Sequence, residues 1–126
     1  MDKQKKWKNF KINLPHRKPP FSKRNWGNGL HSLCSYQGKM KPSLVHHLIN
    51  VFSDKNQLVL DPFAGSGTTM FEASLQNRNS LGFDISKIAV AISNAKINNY
   101  NSKKIIGILK ESQNYINKFE ISKKTL

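Results

Sequence analysis

The chain has 126 residues, enough for one small domain, and 37% of them are hydrophobic, a lean but adequate core. Twenty-one Lys and Arg against seven Asp and Glu give a net charge of +14, an excess that favours a polyanionic partner, most simply nucleic acid. The single cysteine, Cys34, excludes an internal disulfide framework and fits a reducing cytoplasm; no apolar run approaches the roughly 20 residues of a membrane span, and the charged N-terminus lacks the apolar stretch of a signal peptide.

Residues 1–25 are basic, with Trp7, Phe10, Pro15, Pro19, Pro20 and Phe21 between the charges. The prolines argue against a continuous helix, so an extended arm is expected, able to follow a phosphate backbone or to pack on the rest of the chain. Residues 26–126 are assigned to one further domain. Gly27, Asn28, Gly29 and Gly38 punctuate a loop to Met40. From Pro42, a favoured first-turn residue, to Phe52 the spacing predicts a helix with Leu44, Val45, Leu48, Ile49 and Phe52 on one face. His46 and His47 are adjacent and lack the i, i+4 spacing of a helical metal pair, so they are read as surface or packing residues and no metal is expected. Cys34 is read as structural.

Leu58–Leu60 is a continuous apolar run of the kind found in parallel strands buried on both faces. It ends at Asp61, and the turn Gly65-Ser-Gly67 follows. A helix is predicted from Thr68 to about Asn77, with Met70, Phe71, Ala73, Ser74 and Leu75 against the sheet. A second strand, Ser80–Asp84, ends in another acid. Ser86 is the expected N-cap of a helix from Lys87 to about Asn99, carrying Ile88, Ala91, Ile92 and Ala95. The Asn98–Asn101 cluster breaks it, and a last helix is expected over Lys103–Phe119.

Strand, glycine turn, helix, strand is the βαβ unit. Its turn lets a backbone approach a ligand, and the helix beyond presents free N–H groups. Asp84 follows Gly65 by nineteen positions, near the separation at which an acid accepts hydrogen bonds from a ribose hydroxyl pair. A phosphate-binding loop for ATP needs Lys-Ser/Thr after its last glycine, whereas Thr68 and Thr69 stand here. A dinucleotide site needs a third glycine where Met70 stands, and Asp61 would repel a pyrophosphate. S-adenosylmethionine, with a cationic amino-acid end and a ribose but no phosphate, suits both acids. The competing structural reading makes Asp61 and Asp84 loop caps and the glycines a plain turn.

The stretch Asp61-Pro-Phe-Ala-Gly65-Ser-Gly67-Thr-Thr69, with Phe71-Glu72-Ala73 and Gly82-Phe-Asp84-Ile85, resembles the DNA methyltransferases that modify adenine N6 or cytosine N4. The start Lys41-Pro42-Ser43 is similar to the family segment that closes over the methionine end of the cofactor, and Arg24–Gly27 and His31–Gly38 are also familiar. The likeness covers roughly residues 24 to 95. It implies an α/β, partial Rossmann-like S-adenosylmethionine-dependent methyltransferase fold, a βαβ unit with flanking helices and an incomplete sheet. It implies cofactor contacts from Lys41, Pro42, Asp61, Phe63, Gly65, Ser66, Gly67, Thr68, Asp84 and Ile85, DNA as partner, and a restriction-modification setting.

The family's catalytic tetrad, Asn, Ser or Asp followed by Pro-Pro and an aromatic, does not occur. Lys18-Pro-Pro-Phe21 has lysine in place of the polar acceptor, so no catalytic residue is assigned. Two parallel strands alone do not make a stable sheet. The sequence therefore leads to the expectation of a cofactor-binding half or fragment of a DNA methyltransferase, inactive alone, whose catalytic motif is lost or supplied by a second polypeptide. A portion of an RNA methyltransferase and a non-catalytic basic nucleic-acid-binding protein or gene remnant are the alternatives.

Overall fold

The computed structural model describes residues 2–98 and 101–124. In chain order they form α1 (Lys3–Asn13), short 3-10 turns at Pro15–Arg17 and Gly29–Ser32, α2 (Pro42–Phe52), β1 (Leu58–Asp61), α3 (Thr68–Leu75), β2 (Asn79–Gly82), α4 (Lys87–Ile97) and α5 (Ser102–Lys124). Asn99 and Tyr100 of the expected helix-breaking cluster lie outside the described residues.

β1 and β2 pair in parallel, with Leu58 opposite Asn79 and Asp61 opposite Gly82. Helix α3 is the crossover, so the architecture is α/β, a partial Rossmann-like βαβ unit with flanking helices. The core is the seam where α2 meets α3: Val45, Ile49 and Ala73 are buried there, with Val59 of β1 packed against them. Arg78 locks the corner after α2, donating to Ser53 Oγ at 3.2 Å and to the Ser53 carbonyl at 3.0 Å.

The N-terminal segment is not an extended arm. Asp2 caps α1 by accepting from the Gln4 N–H, and the helix runs to Asn13 before Leu14 turns left-handed ahead of Pro15. The prolines end this helix rather than forbid it, because the first of them stands beyond it. Phe10 is buried, and Trp7 stacks on Phe10 and meets Phe52 of α2, each at 5.4 Å between ring centroids. Aromatic packing of this kind stabilises beyond the area it buries.

The strands are not covered on both faces. Leu58, Leu60 and Leu81 are 63%, 60% and 46% exposed, while alternate positions face α3. Among the described residues nothing packs over the leucine face. Helix α4 also turns differently from its apolar pattern. Its buried residues are Ala89, Ser93 and Lys96, and Ile88 is left in solvent. The reason is the close approach of α4 to the glycine turn, which leaves room only for Ser93 and the lysine stem. In α3, Ser74 and Leu75 are exposed, and Thr68, Thr69 and Glu72 are buried in addition to Met70, Phe71 and Ala73.

Candidate cofactor site

Because Asp61 and Gly82 are register partners, the loops after both strands leave the same edge of the sheet. Two backbone hydrogen bonds join them, Phe83 N–H to the Asp61 carbonyl at 3.0 Å and Ala64 N–H to the Phe83 carbonyl at 2.9 Å, and a third, Gly67 N–H to the Ala64 carbonyl at 2.9 Å, closes the first loop on itself. The Asp84 carboxylate completes the junction. One oxygen accepts from the Gly65 N–H and the other from the Ser86 N–H, both at 2.8 Å. Asp61 accepts from the Phe63 N–H at 3.0 Å. Each carboxylate keeps lone pairs beyond these bonds.

The two glycines do different work. Both have positive φ, +50° at Gly65 and +77° at Gly67. A Cβ on Gly67 would strike Ser93 and come within 2.9 Å of its Cα, so this glycine lets α4 dock. A Cβ on Gly65 would meet only the Tyr36 ring at 3.4 Å, so this glycine faces open space.

Asp61, Phe63, Gly65, Ser66 and Thr68 share one narrow cleft of about 50 Å³, roofed by Tyr36, Gly38, Lys39 and Met40. Asp84 lies on the far side of Gly65, in a separate hollow of about 170 Å³ against α4. Lys41 and Pro42 line a larger cavity, about 710 Å³, that shares Tyr36, Lys39 and Met40 with the cleft. Lys41 directs its ammonium to the carbonyls of His16 and Ser22, at 3.2 and 3.1 Å. Ile85 is fully exposed beside Asp84. Thus five of the ten expected site residues converge on one cleft, Gly67 and Asp84 brace it, and Lys41, Pro42 and Ile85 stand around it.

The chemistry of the cleft fits a cofactor with a charged amino-acid end. The hydroxyls of Ser66, Thr68 and Thr69 are buried with no hydrogen-bond partner among the described residues. Buried polar groups are normally satisfied, so three orphans around one turn suit a polar ligand. The carboxylate of Asp61 in the same lining suits an ammonium or sulfonium. The cleft alone is smaller than the usual small-molecule site of about 300–1,000 Å³. A nucleoside cofactor that also meets Asp84 therefore needs the hollow across Gly65, or a shift of the Tyr36–Met40 roof, in addition to the cleft.

Two buried polar groups under the site escaped sequence reasoning. Glu72 is 1% exposed and is held by His31 Nε2 at 2.7 Å and His46 Nδ1 at 3.0 Å. A carboxylate only accepts, so both imidazoles present an N–H to it. Burial opposes the charge on Glu72, but the hydrogen bonds and charges of the two histidines prevail and hold its carboxyl below the usual range. Lys96 is 3% exposed and donates to the Ser66 carbonyl from below the turn. Burial pushes its ammonium below the usual lysine range. An acid in the apolar run of α3 was the available signal for the first; nothing in the spacing marked Lys96. His47 packs edge-on against Phe21 at 4.5 Å. Cys34 is half-buried and lines the larger cavity.

Comparison with known proteins places the chain in a family. The N6/N4 DNA methylase family profile matches residues 2–95, and so includes α1. The type II methyltransferase M.MjaII of Methanocaldococcus jannaschii is 29% identical over 121 residues, 94% of this chain and 23% of that protein. The type II methyltransferase M.HindIII of Haemophilus influenzae is 41% identical over 76 residues, 55% of this chain and 25% of that protein. The crystal structure of M1.HpyAVI is 28% identical with a TM-score of 0.47, covering 50% of this chain and 32% of that one. The chain spans about a quarter of the length of these two curated relatives. With three-quarters of its residues inside the profile, the chain belongs to the N6/N4 DNA methylase family.

Proposed function

We propose that this chain is the S-adenosylmethionine-binding part of a DNA methyltransferase that acts on the exocyclic amine of adenine (N6) or cytosine (N4), with the catalytic tetrad contributed from outside these 126 residues. The observation that carries the reading is the cleft itself: Asp61, the open Gly65 and three unpartnered hydroxyls meet at the ends of two parallel strands. When bound, the cofactor supplies a methyl group from its sulfonium. The chain's own work is to hold and orient it. The turn's backbone and the Ser66, Thr68 and Thr69 hydroxyls take polar atoms, and Asp61 offsets positive charge. Asp84 fixes the turn through Gly65 and keeps lone pairs for a ribose hydroxyl pair. Holding the target base falls to the tetrad, which grips a base taken out of the stack.

Labelled methyl transfer to DNA, by the chain alone and mixed with the product of the adjacent reading frame, tests the reading. Transfer only in the mixture is expected. Full activity of the chain alone refutes an outside tetrad, and preferential methylation of RNA refutes DNA as substrate. Within the chain, Asp84→Ala is expected to weaken cofactor binding by about 1.5–3 kcal/mol, the size of a hydrogen bond to a charged group. Calorimetric titration with the cofactor reads this directly, and unchanged affinity removes Asp84 from the site.

A further inference from the structure

We propose that α1 and the turn-rich segment up to Arg24 form the surface that follows the sugar-phosphate backbone of duplex DNA toward the cofactor cleft. The proposal rests on the reading of the chain as part of a DNA methyltransferase and specifies where that substrate lies. Between Lys3 and Arg24 stand nine lysines and arginines and no acid; Asp2, just ahead of them, is engaged as the α1 cap. Five of the nine, Lys3, Lys5, Lys6, Lys8 and Lys11, are on one eleven-residue helix. Among the described residues no carboxylate pairs with any of the nine, because the ion pairs of the structure are those of Glu72. Lys3 and Lys6, Lys5 and Lys8, and Lys8 and Lys11 are helical neighbours of like charge, an arrangement that costs stability until a polyanion relieves it.

This charge is carried on a fixed element. Trp7 and Phe10 seat α1 against Phe52 and His47 of α2 and against His16. Lys41, at the start of α2, ties down the His16 and Ser22 carbonyls. The segment then delivers Arg24 to the rim of the large cavity, whose Tyr36, Lys39 and Met40 also roof the cleft over Gly65. Along the chain between α1 and that rim, Arg17, Lys18, Lys23 and Arg24 are all exposed. A membrane surface fits less well. An interfacial helix needs a free apolar face, and the aromatic side of α1 is already spent on α2. A rigid polyanion does not need one, because binding to phosphates releases counterions and gives affinity without apolar burial.

The salt dependence of duplex-oligonucleotide binding by the full chain, read by fluorescence anisotropy, decides the matter. Replacing Lys3, Lys5, Lys8 and Lys11 together by Gln keeps helix propensity and removes four charges. The slope of log affinity against log salt is expected to become shallower by about 0.9 for each phosphate no longer neutralised, and so by roughly two or more. The same exchange at Lys103, Lys104 and Lys110 of α5 is expected to leave the slope nearly unchanged. A wild-type slope in the α1 variant, an equal loss in the α5 variant, or tighter binding of a stem-loop RNA of equal length overturns the proposal. Cofactor affinity, measured in parallel, separates the two readings. Cofactor binding without an α1-dependent slope overturns only the surface. An α1-dependent slope without cofactor binding overturns the assigned function and leaves the surface standing.

Discussion

At Gly65 and Gly67 the same residue type answers two constraints two positions apart. Gly67 must lack a Cβ because α4 fills the space, with Ser93 directly beneath it. Gly67→Ala is therefore expected to lower thermal stability by about 1–3 kcal/mol, the usual cost of overpacking. Gly65 has only Tyr36 nearby, so Gly65→Ala costs chiefly the left-handed backbone, about 1–2 kcal/mol. Gly65→Val is expected to abolish cofactor binding by filling the cleft. Thermal melts with and without cofactor check the pair: the Gly67 variant should shift the apo melt most, and the Gly65→Val variant should lose the cofactor-induced shift. The same turn shows what was legible at this scale. The glycine turn between two strand ends was readable because a tight strand-to-helix turn needs residues free to take positive φ. The His31–Glu72–His46 network was not, because His31 is forty-one positions from Glu72 in a loop with no period. Its behaviour with pH follows from sign. The folded pKa of Glu72 is depressed, so its contribution is present above the ordinary carboxyl value, about 4.3, and is lost as pH falls through the lower folded value. Glu72→Gln should cost about 1–3 kcal/mol near neutrality, by leaving a buried N–H poorly matched. Urea unfolding from pH 7 downward should find wild type and variant converging in acid; a gap constant with pH rules out the charge as its source.

At the scale of elements, boundaries followed local chemistry while faces followed tertiary packing. Helices α2, α3 and α4 lie close to where caps and periodicity put them, with Pro42 at the first turn and Ser86 as an N-cap whose Oγ accepts from the Ala89 N–H. The N-terminal segment departs from an extended arm because all of its prolines stand at or beyond Pro15, and the eleven residues of α1 before them suffice for about three helical turns. Helix α4 misled because its isoleucines suggested the buried side. The turn it supports instead selected Ala89, Ser93 and Lys96. Lys96 ties this packing to the turn. Its ammonium holds the Ser66 carbonyl, fixing the Ser66–Gly67 peptide, whose N–H donates to the Ala64 carbonyl, and with it the shape of the turn. Its depressed pKa means that burying the charge opposes folding below that pKa, and the opposition eases as pH rises through it. Lys96→Met keeps the stem and removes the charge. The apo protein is then expected to melt at the same or a higher temperature near neutrality, while cofactor affinity falls several-fold, about 1 kcal/mol for one hydrogen bond. Lys96→Arg should restore part of the affinity. A variant that loses stability but not affinity assigns Lys96 to the fold alone.

For the whole molecule, the leucine face of the sheet and the basic surface of α1 have complementary consequences. Leu60 and Leu81 are register partners and stand side by side, with Leu58 next along the strand; all three are exposed. A parallel sheet is ordinarily covered on both faces, and two strands with one bare apolar face do not hold together well in water. In the proposed enzyme that face is covered by the remainder of the methylase fold, while the phosphate-binding charge of α1 stays free. The two surfaces can then be uncoupled by mutation. Leu58→Lys combined with Leu60→Lys puts charge on the bare face at two positions that line neither the cleft nor the Asp84 hollow. The double variant should stay more soluble than wild type and bind less of a dye that reports exposed apolar surface, since contiguous exposed apolar patches drive association. Its salt-dependent duplex binding should match wild type. Methyl transfer in the reconstituted mixture should be lost, because covering strands cannot dock over two ammonium groups without burying unpaired charge. Full activity of the double variant in that mixture means that the leucine face stays in solvent in the working enzyme, and that the sheet is completed along its free strand edges alone.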